Sequence, residues 1–324
     1  MSGMKNGHFP ELSALVLNEQ NFFLPYSTSH IGDILASIKT HSEEEQRLIN
    51  QDLDFIREIT KNQCLYNTGE QVLINTIDPG EILDDRIREA PLFTDFSLDS
   101  LFSLIDEDDP MFGIVSSIKN MLSSIPLEEA FKEAFENPES AEMMNKMFPG
   151  LKEEPNMNGF FKSFGKMYQN LNEKEDYKLL RDTVQKIGVN SGHFNDNKNP
   201  YEVIQNAYNK LGAVPFNPDP YFDKNKNAPA WFNDLANSYI ILDMHGYKAD
   251  TVKVNDKESN NTFKNTTEDA SHMAFASLCD IYITNDNKNY YKTQQVYNKF
   301  KVRTKVFKPQ EFINYFNREL NQVS

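Results

Sequence analysis

Apolar and polar positions alternate with more than one rhythm along the chain. Leu12–Leu17 (LSALVL) is a short apolar run of strand length, and it predicts a buried strand. Over Ser42–Asn62 the rhythm is helical: Ile49, Leu53, Ile56 and Thr60 recur at intervals of three and four, on one face. Ser42, with Glu45 three positions on, supplies the two partners of a capping box and predicts where that helix starts. Gln71–Ile77 (QVLINTI) reads as a second strand. Asp78-Pro79-Gly80 follows as a turn leading into a helix through Glu81-Ile82-Leu83.

The stretch from about 95 to 227 has few strand signals. Its periodicity predicts helices over 97–106, 110–124, 127–136, 139–148, 157–171, 173–187 and 200–211. Pro110, Pro126, Pro138, Pro149 and Pro155 separate them, as expected of a residue suited to first turns and linkers. A Pro/Asn loop, Pro215–Asn227, ends this zone. The last zone, 228–324, changes rhythm again. A helix over Ala228–Gly246 closes on a glycine. A polar loop is expected over Val252–Asn265, then a helix over Thr266–Cys279 with Thr266 or Thr267 as its N-cap. Strand Ile281–Thr284, helix Asn287–Phe300, strand Thr304–Phe307 and helix Pro309–Leu320 follow. Strands alternating with helices predict an α/β class with a parallel sheet.

Composition narrows the function classes. With 39% hydrophobic and 12% aromatic residues, the 324-residue chain can bury a sizeable core. Forty-eight acidic against 33 basic residues, a formal net charge of -15, exclude polyanion binding through overall charge, so nucleic-acid contact needs a local basic patch. Across 95–160 the imbalance is steepest, with 14 acidic and 4 basic residues. Cys64 and Cys279 form no CxxC pair, as expected in a reducing compartment. No apolar run approaches the roughly 18–20 residues a bilayer requires, and Met1–Pro10 lacks the apolar core of a secretory signal. The expectation is a cytoplasmic protein without membrane contact. There is no P-loop, no dinucleotide-binding glycine pattern, no nucleophile elbow and no zinc spacing among the six His and two Cys.

The candidate chemistry lies in the last zone. Asp269 falls in the first turn of its predicted helix, with Glu268 beside it and His272 one turn on; Asp286 ends the strand Ile281–Thr284. In an open parallel sheet, ligand sites gather beyond the carboxyl ends of the strands. Clustered carboxylates there suit Mg²⁺ or Mn²⁺. His272 reads as a hydrogen-bonding histidine rather than a ligand, and Asp280 as a helix-to-strand turn residue. From Asp286 to Lys308 seven basic residues stand against one acidic: Lys288, Lys292, Lys299, Lys301, Arg303, Lys305 and Lys308. Tyr290, Tyr291 and Tyr297 interleave, and such rings stack on unpaired bases.

The ordered run Glu268–Tyr315 resembles the C-terminal part of the PIN domain family. An Asp opens a helix with small residues (Asp269, then Ala270, Ala274 and Ala276), an apolar strand ends in Thr284-Asn285-Asp286, and a helix, a strand and a closing helix at Pro309-Gln310-Glu311-Phe312 follow. Val72–Leu83 resembles the block that brings a Glu after the second strand, here Glu81, with Glu70 and Asp78 as competing neighbours. The best match to the first block is Leu15–Phe22. Asn18 stands there where the family has Asp, with Glu19 adjacent. The resemblance covers about 11–90 and 228–318. It implies a PIN-like central parallel sheet flanked by helices, built from 11–94 and 228–324, with 95–227 as a large acidic helical insertion.

By the same resemblance, the function is metal-dependent endonucleolytic cleavage of RNA, less often single-stranded DNA. Asp269, Asp286 and Glu81 would hold Mg²⁺ or Mn²⁺, with Asn18 or Glu19 completing the shell, and Lys288, Lys292, Lys299, Lys301, Arg303 and Lys305 would hold the substrate. The insertion is the place for a lid or a protein regulator, as in toxin–antitoxin relatives. The rival expectation is a catalytically degenerate PIN-like scaffold that binds RNA or a protein partner. The number of carboxylates gathered at the sheet's carboxyl edge discriminates the two.

Overall fold

The computed structural model describes residues 9–17, 22–38, 42–69, 71–89, 121, 125–170, 173–186, 194–210, 230–249 and 263–323. Helices dominate this mixed α/β chain. In order they are α1 (Pro10–Val16), α2 (Thr28–Ser37), α3 (Glu43–Thr60), α4 (Pro79–Glu89), α5 (Glu128–Glu136), α6 (Pro138–Met147), α7 (Met157–Asn170), α8 (Lys174–Lys186), α9 (Pro200–Lys210), α10 (Ala230–Met244), α11 (Phe263–Ala276), α12 (Asn287–Phe300) and α13 (Pro309–Val323). The strands are β1 (Tyr26–Ser27), β2 (Gln63–Asn67), β3 (Val72–Thr76), β4 (Ile281–Ile283) and β5 (Lys305–Phe307).

Two compact units divide the chain. One comprises Met1–Asp84 with Lys178–Ser324, the other Asp85–Tyr177. The C-terminal part of the discontinuous unit therefore begins inside α8 and includes α9, well before residue 228. In the unit Asp85–Tyr177, Phe131, Phe148 and Phe160 stack with ring centroids about 6 Å apart, joining α5 to α7. The expected helices 97–106 and 110–124, apart from Met121, lie outside the described residues.

In the discontinuous unit the described strands form two small sheets instead of one central parallel sheet. β1 pairs parallel with β2, and β2 antiparallel with β3. β4 and β5 form a separate parallel pair in the register Ile281↔Lys305. Helices cover both sides of that pair. Leu12 and Val16 of α1, with Phe312 and Ile313 of α13, pack on Ile281, Ile283 and Phe307. On the other side Val306 packs against the main core, where Tyr239, Leu242, Met273, Ala274 and Val296 are fully buried.

Several elements form as the sequence predicts. Ser42 caps α3 by accepting a hydrogen bond from the Glu45 N–H, and Ile49, Leu53, Ile56 and Thr60 are buried along it. Gly246 takes a left-handed φ of 88° after α10, where its N–H donates to Asp243 O. Two expectations fail. Leu12–Leu17 is not a strand; Leu12–Val16 lies in helix α1 and Leu17 is its C-cap. Pro10 suits a first helical turn, and Leu12 and Val16, four apart, bury one face. The expected loop over Val252–Asn265 lies outside the described residues up to 262, and Phe263 already opens α11. Thr266 is therefore no N-cap. Its hydroxyl donates to Asp243 Oδ2 instead, 3.3 Å away. Among the described residues, no helix is long and apolar enough to cross a membrane.

Candidate functional site

The carboxyl edge of β4 runs through Thr284 and Asn285 to Asp286. Asp286 is the N-cap of α12: its Oδ1 accepts from the N–H groups of Lys288 (2.6 Å) and Asn289 (2.8 Å), satisfying donors that the first turn leaves open. The buried Asn289 side chain accepts from the hydroxyls of Tyr282 and Thr293, which ties β4 to α12. One turn further, Lys292 points inward. Its ammonium donates to Asp243 Oδ1 at 2.6 Å, both side chains being almost fully buried, and lies 4.6 Å from the Tyr239 ring centroid. Arg181 approaches the other oxygen of Asp243 at 3.9 Å. A buried pair of this kind resists loss of either partner, because the survivor is left charged out of water.

Helix α11 brings the second group of polar residues. His272 Nε2 is 3.0 Å from Asp33 Oδ2 on α2, and the His272 ring meets the His30 ring edge-on at 4.5 Å. His30 Nδ1 accepts the Ser27 N–H at 3.0 Å, so the last residue of β1 fixes its tautomer. Burial and the neighbouring His272 hold His30 well below the usual histidine range, in its neutral form. The two helices approach closely. A Cβ on Gly32 would meet the Glu268 carboxylate, the far end of a flexible side chain that would have to turn aside.

Asp269 sits in the second turn of α11, not the first, and is half-buried. Burial raises its carboxyl to about 6; Lys292 and His272 pull in the opposite direction, while Asp286 and Asp33 push it further up. Tyr239, with no exposed surface, has a hydroxyl without a hydrogen-bond partner among the described residues. Burial and the neighbouring Asp269, Asp243 and Asp286 push that phenol well above its usual range. The result is a half-buried carboxyl raised to about 6, with carboxylates, cations and the buried Tyr239 phenol in its electrostatic surroundings. Such a group can exchange a proton or bind a cation.

Asp269 thus feels the charges of Asp286, Asp33 and His272, and His272, bonded to Asp33, is the hydrogen-bonding residue expected of it. Glu81 is elsewhere. It is exposed in the first turn of α4, beside the Asp78 that Arg57 grips through two hydrogen bonds of 2.7 and 2.8 Å. Asn18, Glu19 and Glu70 lie outside the described residues. Among the described residues, no three His, Cys, Asp or Glu side chains are grouped to hold a metal ion.

The expected nucleic-acid surface also divides. Lys292 is not available to substrate, for it is buried in its ion pair, and Tyr297 is buried with its hydroxyl donating to Met273 O. Lys299 stacks over Tyr201 and Phe300. Lys301 ends α12, and Arg303 and Lys305 precede or begin β5, so these three stand at the opposite edge from Asp286. A 14-residue helix separates the two edges, roughly 20 Å at 1.5 Å per residue. Only Lys288 of the expected set adjoins Asp286 at the surface. Sequence reasoning missed Asp33, Asp243 and Tyr239, which reach the site from helices distant in the chain.

No protein-family model, curated protein or solved structure matches this chain.

Proposed function

We propose that the protein is a PIN-like, Mg²⁺- or Mn²⁺-dependent endonuclease that hydrolyses phosphodiester bonds of single-stranded RNA, with Asp269 and Asp286 as the metal-binding carboxylates. One observation carries the reading: Asp269 feels the charge of Asp286, which stands at the carboxyl edge of the parallel β4–β5 pair, and burial first, then that carboxylate, raise the Asp269 carboxyl to about 6. That donor set fits a hard divalent cation. Mg²⁺ needs only one or two carboxylates from a protein, the remaining positions going to water and substrate oxygens. When bound, the ion would lower the pKa of the attacking water and offset charge on the phosphate. Asp33 orients the His272 ring beside Asp269, and Lys292 tempers the repulsion among the carboxylates from the buried side. A PIN-like arrangement of the three-stranded and the two-stranded sheet belongs to the same proposal.

The rival scaffold reading draws on the lack of a three-ligand group among the described residues. One experiment separates them. Labelled single-stranded RNA and DNA are incubated with the protein in Mn²⁺, Mg²⁺ or EDTA, beside Asp269→Asn and Asp286→Asn. The nuclease reading expects metal-dependent cutting that falls on the order of 10²-fold or more in each variant. A wild-type protein that cuts nothing, and whose melting temperature ignores both metals, would leave the scaffold.

A further inference from the structure

The edge that carries Asp286 also carries cations and rings that the carboxylate site does not use. Lys308 directly follows β5, and the Thr284 N–H donates to Phe307 O at 3.0 Å, so Lys308 and Asp286 leave the paired strands on the same side. The Lys308 ammonium lies 5.2 Å from the Tyr290 ring centroid and 5.7 Å from that of Tyr291, and bonds to Asn287 Oδ1. From the turn after α10, Lys248 reaches to 4.9 Å from the Tyr291 centroid. That turn is pinned by the Lys248 N–H, which donates to Asn195 Oδ1 at 2.6 Å. The two tyrosine rings stand 5.3 Å apart at 80°. Three acidic groups face this cluster. Glu311 accepts from the Lys308 N–H at 2.9 Å and from the Tyr290 hydroxyl, and Asp286 caps α12. Asp196, itself exposed, pairs with Lys248 at 4.0 Å, a contact that water screens and a phosphate can replace.

We infer that Lys248 and Lys308, held on Tyr290 and Tyr291, form a phosphate clamp that seats single-stranded nucleic acid beside Asp269 and Asp286. The inference rests on the nuclease reading for its purpose, though not for its detection. Two ammonium groups fixed along an aromatic pair suit successive phosphates. Tyr291 keeps 39% of its surface exposed, leaving ring for an unstacked base. In a chain of net charge -15, a backbone clamp has to be local, and this one adjoins the reacting edge.

The test is fluorescence anisotropy in EDTA, where nothing is cut, with labelled non-pairing RNA and DNA oligonucleotides. The double variant Lys248→Gln/Lys308→Gln is expected to bind about tenfold or more weakly. Its plot of log affinity against log salt should lose about 0.7 of slope per lysine removed. Tyr291→Ala should weaken binding about fivefold or more with the slope kept. Lys301→Gln/Arg303→Gln, at the opposite edge, should bind as wild type. Lys308→Arg should retain binding and shows that loss in the Gln variant is not a folding defect. The clamp is overturned if wild type binds neither oligonucleotide, if the double variant binds as wild type, if the opposite-edge variant loses as much, or if a poly-glutamate probe competes as well as RNA. Binding that follows this pattern without any cleavage in Mn²⁺ would keep the clamp and sink the nuclease; cleavage that survives the double variant unaltered would do the reverse.

Discussion

The two edges of the β4–β5 pair carry similar residues under different conditions. At the amino edge Asp280, Lys301, Arg303 and Lys305 are all exposed. Charges in that setting are screened by water, and their pairings contribute about 0–1 kcal/mol. At the carboxyl edge Asp269 is drawn half out of water, Lys292 wholly so, and Lys308 is seated over aromatic rings. Here burial moves a carboxyl to about 6. Partial burial, rather than the number of charges in a stretch of chain, therefore makes one edge of a two-stranded sheet chemically distinct. The basic run from Lys288 to Lys308 spans both edges, and its composition alone does not tell them apart.

The sharpest way to break this contrast is to remove one charge from each edge. Lys292→Met leaves Asp243 buried without its closest cation, and the expected cost is about 3–5 kcal/mol. Lys301→Met should stay within about 0.5 kcal/mol of wild type. Urea unfolding reads both, and Lys292→Met/Asp243→Leu should recover most of the loss. A Lys292→Met cost under about 1 kcal/mol would mean that the two edges do not differ as argued.

A smaller effect follows from Asp269. Unfolded, an Asp titrates near 3.9; folded, this one titrates near 6. The folded chain therefore holds the proton more tightly, and stability falls as pH rises from about 4 through 6. Asp269→Asn should remove that slope. At pH 7, without metal, it should stabilise the chain by up to about 3 kcal/mol, and at pH 4 by almost nothing. Unfolding free energies measured across that pH range decide the matter, and a wild-type profile that rises from pH 4 to 7 with no difference in Asp269→Asn would contradict the burial assigned to this carboxyl.

What could be read from the sequence was local. Ser42 and the Ile49–Thr60 face define α3 within a few turns, and the order Asp269, β4, Asp286 runs through a single stretch of chain. The failures needed distant partners or finer reading. Asp33 meets His272 across 239 positions, and β1, which precedes it, is two residues long, too short for any period. Leu12–Leu17 has a length that fits strand or helix, and the signal that favoured helix was Pro10. Lys292 was legible after all. Asn289, Lys292, Thr293, Val296 and Tyr297 fall at helical spacing and form the buried face of α12. Counting lysines hid that register.

The finest test of the contrast concerns the two ends of α12. At the carboxyl edge Asp286 caps the helix through two hydrogen bonds to Oδ1. At the amino edge Lys301 ends it in a left-handed conformation, φ 55°. Asp286→Ala should cost about 1 kcal/mol, the usual loss on removing a cap, while Asp286→Asn should cost a few tenths, since Asn caps about as well. Lys301→Gly should gain up to about 1 kcal/mol, because glycine takes the left-handed conformation without strain. Chemical denaturation with matched slopes resolves differences of this size. The Asn variant matters most, for it keeps the hydrogen bonds and discards the charge. If it is nearly as stable as wild type yet fails to cleave, the carboxylate at this edge serves the reaction and the helix needs only its oxygen. If Asn and Ala lose stability equally, the helix N-terminus itself depends on the negative charge, and a loss of activity in either variant would then say little about metal.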